Sequence, residues 1–342
     1  MPPLKEIKTR IGSVKGTLKI TSAMKLVAAA KLHKAQQAVA TMLPYQQALY
    51  RMLGTVSGGA ALSSAPSGRL VNLSNHDPES SPAPRIALLA VSSNSSLCGG
   101  FNANAVRKVL ETLTEYHDAG IPDENITVIP IGRKMADALR RIGRAPGDTL
   151  GPLDLGMTED VDLDKTLLSS RLEPEGRKER ISLHQLIDHP SFSLSAAFAD
   201  RIIALFQDGR FDRVELIYNH FVSTASQVPT REVWLPFTVR GEEIPSPAAQ
   251  VRNDSEEDRL WILEPSREEL LEALLPKLMR LKIYTMLLDS AAAEHAARTV
   301  AMQTATDNGE DILDDLTLEY NKGRQQKITS ELLDIIGGSM QG

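Results

Sequence analysis

Apolar side chains recur along the first part of the chain in alternating steps of three and four residues. Twelve of fifteen consecutive positions in this series are apolar, and most residues between them are Lys, Gln, Ser or Thr. The positions are Leu4, Ile7, Ile11, Val14, Leu18, Thr21, Lys25, Ala28, Leu32, Ala35, Val39, Met42, Gln46, Leu49 and Leu53. An unbroken repeat of this kind predicts one long coiled-coil helix over residues 4–57. Pro44 lies inside it and predicts a kink, because proline removes a backbone donor and crowds the preceding turn.

A second long helix is predicted over residues 266–336. Ser266, followed by Glu269, indicates a capping box at its start. Heptad spacing is then kept by Leu271, Leu274, Leu278, Leu281 and Leu288, with a kink predicted at Pro276. The register loosens over the alanine-rich residues 289–305. A ladder in four-residue steps, interrupted by Arg324, follows at Ile312, Leu316, Tyr320, Ile328, Leu332 and Ile336.

The lengths of these two helices determine the expected shape. At 1.5 Å per residue, residues 4–57 form a rod of roughly 80 Å and residues 266–336 one of roughly 105 Å. A compact chain of this length has a diameter of only about 50 Å. Both helices must therefore project from any globular body, and each needs a partner for its apolar seam. We expect an antiparallel two-helix coiled coil that carries a globular domain between its ends.

The middle of the chain alternates between predicted strands and helices. Strands are predicted over 85–91, 126–132 and 213–219, with helices over 102–120, 133–143 and 193–209. This alternation is typical of an α/β domain with a mainly parallel, Rossmann-like sheet. The predicted organisation is an N-terminal helix (1–58), a variable linker (59–84), a central domain (85–262) with inserts near 145–190 and 238–258, and a C-terminal helix (263–342).

Composition excludes several classes of protein. The 342 residues carry a net charge of −6, which gives no global reason to expect nucleic acid as a partner. The N-terminus has no signal-peptide core, and no stretch approaches the roughly 18 apolar residues of a membrane span. One cysteine cannot form an internal disulfide, which fits a reducing compartment.

Charge is distributed unevenly between the two helices. Eight basic residues and one acid occur up to Lys34, whereas residues 307–320 carry six acids and no base. This distribution fits either solvated helix faces or an electrostatic surface for an acidic partner, and the sequence leaves both interpretations open.

The stretch "SSNSSLCGGFN" at 92–102 holds Cys98 beside two glycines. It lacks the Lys of a phosphate loop, the G-x-G-x-x-G fingerprint of a dinucleotide site, and any neighbouring His or acid that would activate a thiol. We expect a strand-to-helix turn in which Cys98 packs as a small hydrophobe; an α/β enzyme that uses Cys98 is the alternative. His184 and His189 near Asp188 show no metal-site spacing and are predicted to be surface residues.

Four segments resemble one known family. They are residues 5–32, "SLCGGFN" at 96–102, "ASQVPT" at 225–230 and residues 291–338, and together they are similar to gamma subunits of F-type ATP synthases. The resemblance is weakest over 60–84, 145–190 and 238–258. The family's Asp-Arg-Gly run before "LCGG" is replaced by Asn94, Ser95 and Ser96, and redox control through a cysteine pair cannot apply because Cys98 is alone.

The resemblance implies a central rotor shaft that couples proton flow to conformational change in catalytic beta subunits. The shaft itself would catalyse nothing and hold no cofactor or metal. Its coiled coil would enter a hexamer of alpha and beta subunits, and its α/β domain would meet the epsilon subunit and the c-subunit ring. It would be a peripheral protein at the cytoplasmic face of a bacterial inner membrane, attached only through the complex.

The resemblance also implies site residues. The beta-subunit contacts would be Met24, Arg324, Gln325 and Thr329, together with the basic residues Lys19 and Lys25. The contacts of the foot with the c ring would be Trp261, Leu263 and Glu264. The alternative function is an elongated helical scaffold or a nucleic-acid clamp, which the net charge and the lack of aromatics among the N-terminal lysines disfavour.

Overall fold

Two long helices dominate the structure, a computed structural model that describes residues 3–57, 70, 84–143, 183, 185–237 and 266–339. Helix α1 spans Leu4–Ser57 and helix α6 spans Arg267–Ser339. Both helices run through their internal prolines without ending. The Ser266 hydroxyl accepts a hydrogen bond from the Glu269 backbone N–H at 3.2 Å, which confirms the predicted cap at the start of α6.

The predicted seam of α1 is confirmed. All fifteen positions of the heptad series are buried or half-buried, whereas most residues between them are exposed. The seam packs antiparallel on α6: Leu49 and Leu53 lie in one cluster with Leu274 and Leu278. Further along, Leu32 and Ala35 of α1 join Ala292 and Ala296 of α6 in a second cluster. The five predicted heptad leucines of α6 are all buried.

The predicted ladder in the last part of α6 is partly wrong. The half-buried positions are Gly309, Leu313, Leu316, Glu319, Tyr320 and Gly323. Ile312 is exposed because strict four-residue steps drift around a helix of 3.6 residues per turn. Ile328, Leu332 and Ile336 are exposed for a different reason. Helix α1 begins at Leu4, which faces Gly323, so α6 continues past the end of its partner.

A four-stranded sheet forms the body of the central domain, in the order β2-β1-β3-β4. Strands β1, β2 and β3 are parallel, as predicted, and β4 is antiparallel to β3. Strand β4 was not predicted, since its centre reads Pro229-Thr230-Arg231-Glu232; proline is tolerated there because β4 lies at the edge of this sheet. The strands are β1 (Ile86–Val91), β2 (Ile126–Ile131), β3 (Arg213–Phe221) and β4 (Gln227–Leu235).

Helices cover both faces of the sheet, which explains why β1 and β2 are buried along their whole length. One face packs on α2 and α3, and the other packs on α5 and α6. The remaining helices are α2 (Phe101–Asp118), α3 (Arg133–Arg141), α4 (Gln185–Asp188) and α5 (Phe192–Gln207). The predicted α/β domain on a helical coiled coil is confirmed, with α6 belonging to both parts.

The predicted inserts fall largely outside the described residues, which omit 58–69, 71–83, 144–182, 184 and 238–265. The predicted domain boundaries therefore stay predictions. His189 lies on the surface as expected, whereas His184 is outside the described part of the chain.

Candidate functional site: the helical rod and its junction with the sheet

The crevice at which α/β sheets of this kind usually bind ligands is filled by α6. Strand β1 is the switch point of the sheet, because the chain continues to β2 on one side and β3 on the other. The turn that follows β1 packs Cys98 and Phe101 against Ala293 and Ala297 of α6. This sheet therefore uses its carboxyl edge to hold a helix.

The turn after β1 confirms the structural interpretation of Cys98. Its side chain is 1% exposed, and its sulfur lies 3.1 Å from the Asn102 amide nitrogen. Gly99 has a φ of +57°, and a Cβ there would lie 3.7 Å from the Cβ of Ala301. The glycine thus supplies a left-handed backbone where α6 passes close by.

The end of β3 ties three helices together, and we call residues 219–221 the β3 junction. The Asn219 side chain donates to the Phe101 carbonyl of α2 at 3.0 Å. His220 Nδ1 and the Phe221 backbone N–H both bind the Asp289 carboxylate of α6, at 2.6 and 3.1 Å. The Phe221 ring packs on the α1–α6 cluster that contains Leu32. Consecutive residues of one strand therefore fasten the sheet to α2, α6 and α1.

The charge of Asp289 influences the protonation of the β3 junction. The hydrogen bond to Asp289 raises the pKa of His220 above its usual value, against a smaller opposing effect of burial. Glu232 of β4 adds to the rise in pKa, and Lys282 of α6 opposes it. Protonated His220 and Asp289 form a charge-assisted hydrogen bond between β3 and α6.

Further polar contacts fix α6 to the central domain along more than four helical turns. Arg280 pairs with Asp200 of α5 at 2.6 Å, and Lys282 pairs with Glu232 of β4 at 2.8 Å. Farther along, Arg298 donates to the Ser95 hydroxyl of the turn after β1 at 2.7 Å. Helix α6 is thus joined to the domain at several separate elements.

His295 lies among cations on the same part of α6. Burial lowers its pKa to about 4, and the nearby charges of Arg298 and Lys31 act in the same direction. The ring is therefore neutral at cellular pH. Glu294, one residue earlier, pairs with Arg298 at 2.8 Å and balances that charge.

The basic residues at the start of α1 and the acidic residues at 307–320 of α6 are mostly exposed. Of the eight basic residues up to Lys34, only Lys25 is half-buried, and its ammonium group donates to the Gln303 side chain of α6. Five of the six acids between residues 307 and 320 are exposed, and Glu319 is half-buried. The rod thus presents a basic α1 face and an acidic α6 face.

The predicted contact residues occupy two regions of the rod. Met24 is half-buried beside the seam and Lys19 is exposed. Arg324, Gln325 and Thr329 all lie on the exposed part of α6 beyond Gly323, where the Thr329 hydroxyl donates to the Gln325 carbonyl at 2.9 Å. Arg324 does not interrupt a packed seam, because the whole segment projects past α1. Trp261, Leu263 and Glu264 are outside the described residues, and all these roles stay predictions.

Exposed apolar side chains mark two surfaces that the analysis of the sequence did not identify. On α1, Ile20, Leu26 and Val27 face outward, Leu26 with 69% of its surface exposed. At the end of α6, the exposed residues are Ile328, Leu332, Leu333, Ile335 and Ile336. Grouped apolar exposure of this kind is typical of interaction surfaces. On α1 the available signal was the presence of large apolar residues outside the heptad positions, whereas Ile328, Leu332 and Ile336 of α6 belong to the predicted ladder.

Among the described residues there is neither a candidate metal cluster nor a candidate membrane span. No group of three or more His, Cys, Asp or Glu side chains in the described part of the chain is arranged to hold a metal ion. Within the same ranges, the helices include none with the length and apolar character needed to cross a membrane.

Comparison with known proteins agrees with this architecture. The family model described as ATP synthase matches residues 3–340. Curated relatives include the ATP synthase gamma chain of Phocaeicola vulgatus, 42% identical over 99% of this chain and 100% of the relative. The ATP synthase gamma chain of Bacteroides thetaiotaomicron is 40% identical, and the match covers 100% of this chain and 100% of the relative.

Solved structures share the fold at lower sequence identity. A chain of the Euglena gracilis mitochondrial ATP synthase, in an OSCP/F1/c-ring structure, has a TM-score of 0.57 and 19% identity, covering 98% of this chain and 93% of that one. A chain from the central stalk/c-ring structure of the Tetrahymena thermophila mitochondrial ATP synthase has a TM-score of 0.51 and 22% identity. This match covers 84% of this chain and 99% of that one. With the family match and the full-length relatives, the conclusion is that the chain belongs to the family of ATP synthase gamma chains.

Proposed function

We propose that the chain is the rotating central shaft of a proton-translocating F-type ATP synthase. In this proposal the α1–α6 coiled coil enters a hexamer of alpha and beta subunits. The observation that carries the proposal is the asymmetric end of the rod. Helix α6 continues beyond Gly323 as a single helix with exposed apolar side chains, which need a surrounding protein surface to exclude water.

A shaft influences its partners only if its faces differ. A surface that contacted all catalytic subunits identically would leave their relative populations unchanged, because only a differential contact free energy shifts an equilibrium. Moving a subunit almost completely between two states requires a difference of about 5.5 kcal/mol. The basic face of α1 and the acidic face of α6 provide such asymmetry, and charge-assisted contacts are strong enough to supply the energy.

The contact residues of this proposal combine the family positions with the exposed surfaces. Met24, Lys19 and Lys25 lie on the same part of α1 as the exposed Ile20 and Leu26. Their clustering supports a beta-subunit contact there, with the lysines opposite acidic groups.

A second region of contact is proposed on α6. Arg324 is exposed and its planar guanidinium suits a carboxylate or backbone carbonyl of a beta subunit. Gln325 and Thr329 extend the same surface. Trp261, Leu263 and Glu264 are proposed to contact the c-subunit ring, with epsilon bound beside the α/β domain.

We also propose that the chain is a non-catalytic subunit. The occupied crevice at β1 supports this role, since α6 takes the place where a nucleotide or substrate would otherwise approach the sheet. Its location would be the cytoplasmic face of a bacterial inner membrane, reached through the c ring and epsilon.

Co-purification from membranes tests the assignment. A tagged chain should recover alpha, beta, epsilon and c subunits, and recovery of none of them would contradict it. Submicromolar DNA binding with a steep salt dependence would instead favour the nucleic-acid clamp.

Substitution of Arg324 tests the proposed contact. Arg324→Ala should reduce ATP-driven proton pumping in inverted membrane vesicles and leave the helical content of the chain unchanged, because the side chain is exposed in a segment beyond α1. Arg107→Ala on α2 is a matched control, since it removes an exposed arginine from the central domain. Unchanged ATP synthesis and pumping in the Arg324 variant would argue against this contact.

A further inference from the structure

Two of the three polar positions in the α1 heptad series have polar partners on α6. Thr21 is 8% exposed and Thr306 is 7% exposed, and their hydroxyl oxygens lie 3.0 Å apart. Each hydroxyl also lies near a carbonyl of its own helix, at 3.1 Å from Leu18 and 2.8 Å from Met302. One hydroxyl can therefore donate to its own helix while the other donates across the seam.

Two glycines of α6 face leucines of α1 at the same interface. A Cβ at Gly309 would lie 2.7 Å from Leu18 Cδ2, and one at Gly323 would lie 3.1 Å from Leu4 Cδ2. Each glycine thus forms a socket for one leucine. In contrast, a Cβ added at Gly12 or Gly16 of α1 would meet no atom within 4 Å, so these two glycines serve no such purpose.

All these contacts share one register. The number of residues from Leu4 to Leu18 on α1 equals the number from Gly323 back to Gly309 on α6. Likewise, the number of residues from Leu18 to Thr21 equals the number from Gly309 back to Thr306. They therefore belong to one continuous antiparallel alignment of the helices.

We propose that the Leu18–Gly309 socket and the Thr21–Thr306 pair determine the register of the α1–α6 coiled coil. A shift by one heptad in either direction places Leu18 against Met302 or Leu316 instead of a glycine. A Cβ at the native Gly309 site would already force the Leu18 side chain to move, and the shift also separates the two threonine hydroxyls. A buried polar pair within an apolar seam is a known determinant of coiled-coil register.

The consequence for function, which rests on the proposed shaft role, is the alignment of two contact surfaces. Met24 lies on α1 close to Thr21, whereas Arg324 lies on α6 just beyond Gly323. A one-heptad shift would move these surfaces relative to each other by about 10 Å along the rod. The socket and the threonine pair are thus positioning residues for both surfaces.

Cysteine cross-linking of the purified full-length chain measures the register directly. In a Cys98→Ala background, the pair Val14→Cys and Leu313→Cys reports the native alignment. The pairs Val14→Cys with Tyr320→Cys and Ile7→Cys with Leu313→Cys report one-heptad shifts in the two directions. The native pair should form a disulfide at least tenfold faster than either shifted pair; equal rates in the parent chain would overturn the proposal.

Substitutions then identify the determinants. Gly309→Leu should slow the native cross-link at least tenfold and accelerate a shifted one, and Leu18→Ala in the same chain should restore the native rate. Gly16→Leu is the matched control and should leave all rates unchanged. Native cross-linking that survives Gly309→Leu unaltered would refute the socket.

Milder variants keep the test decisive if Gly309→Leu does not fold. Gly309→Ala, and Thr21→Val combined with Thr306→Val, should each raise the rate of a shifted pair severalfold, and unchanged rates in both would refute the proposal. Because this readout needs no partner subunit, its failure is distinguishable from failure of the proposed shaft function, which co-purification tests.

Discussion

The ion pair between His220 and Asp289 should stabilise the chain in a pH-dependent manner. Asp289 accepts hydrogen bonds from both His220 Nδ1 and the Phe221 backbone N–H. Asp289→Asn removes the charge and keeps an oxygen that can still accept from Phe221. His220→Gln removes the titrating ring and keeps a polar side chain. Together with the double variant, these changes isolate the energy of the charged pair from that of its surroundings.

The geometry sets the expected magnitude. Hydrogen bonds to charged groups contribute about 1.5–3 kcal/mol. The His220 side chain is 39% exposed and that of Asp289 is 19% exposed, so solvent screens part of the interaction. We therefore expect a coupling free energy of about 1 kcal/mol when His220 is protonated.

The sign of the pH dependence follows from the pKa of His220. The hydrogen bond to Asp289 raises this pKa in the folded chain above its usual value, while Glu232 and Lys282 act in opposite directions. A raised folded-state pKa means that the stabilisation is fully present below the unfolded value of about 6.5. It is lost as the pH rises through the folded-state pKa, leaving only a neutral hydrogen bond.

Urea denaturation of the four chains at pH 5.5 and pH 9 measures this coupling. Tryptophan fluorescence in a Trp261→Phe background makes Trp234, buried on β4 next to β3, the only reporter. The coupling free energy should fall from about 1 kcal/mol at pH 5.5 to a few tenths at pH 9. A coupling that is equal at both pH values, or that grows with pH, would refute the reasoning.

Three other substitutions have definite expected outcomes. Arg231→Met should destabilise the chain by about 1.5–3 kcal/mol in urea denaturation, because it removes the 2.6 Å partner of the Glu215 carboxylate, which is 0% exposed and keeps only Arg213 at 2.7 Å and the Tyr116 hydroxyl. Arg85→Met, which removes an exposed ion pair, should cost less than about 1 kcal/mol, and equal losses would contradict the burial argument. Cys98→Ala should cost about 1–2 kcal/mol of stability for the lost buried sulfur. Proton pumping by the Cys98→Ala variant should be unchanged. A variant that assembles fully but has no activity would instead support the alternative that Cys98 is part of an enzyme site.

The parts of the fold that local periodicity encodes were predicted from the sequence. The α1 seam and the parallel strands follow from apolar spacing, and the position of Cys98 in a turn follows from the glycines after a buried strand. Strand β4 lacks such a signal, because Pro229 and the polar residues after it read as a loop. Its strand conformation comes from pairing with β3, an interaction between segments that spacing alone does not reveal.

The candidate site was predicted less completely, because its contacts are nonlocal. Asp289 sits in an alanine-rich segment, and nothing around it indicates a bond to the end of β3. The sequence around Gly309 does not indicate its role against Leu18, because that role depends on the antiparallel alignment of the two helices. Arg324 was located correctly on α6, but its exposure follows from where α1 begins, which requires the register.

The central domain is attached to the two helices by different kinds of contact. The central domain holds α6 through Arg280, Lys282, Asp289 and Arg298, whereas α1 meets the domain through the Phe221 cluster and a ring stack between Tyr50 and Phe237. A torque on the domain therefore acts on α6 mainly through polar contacts and on α1 through apolar ones, and the seam couples the two helices. Weakening the β3 junction should lower the stability of the attachment and leave the helix alignment intact. Altering the Gly309 socket should change the helix alignment and leave the attachment to the domain intact. The two kinds of variant therefore separate the effects of attachment from those of alignment.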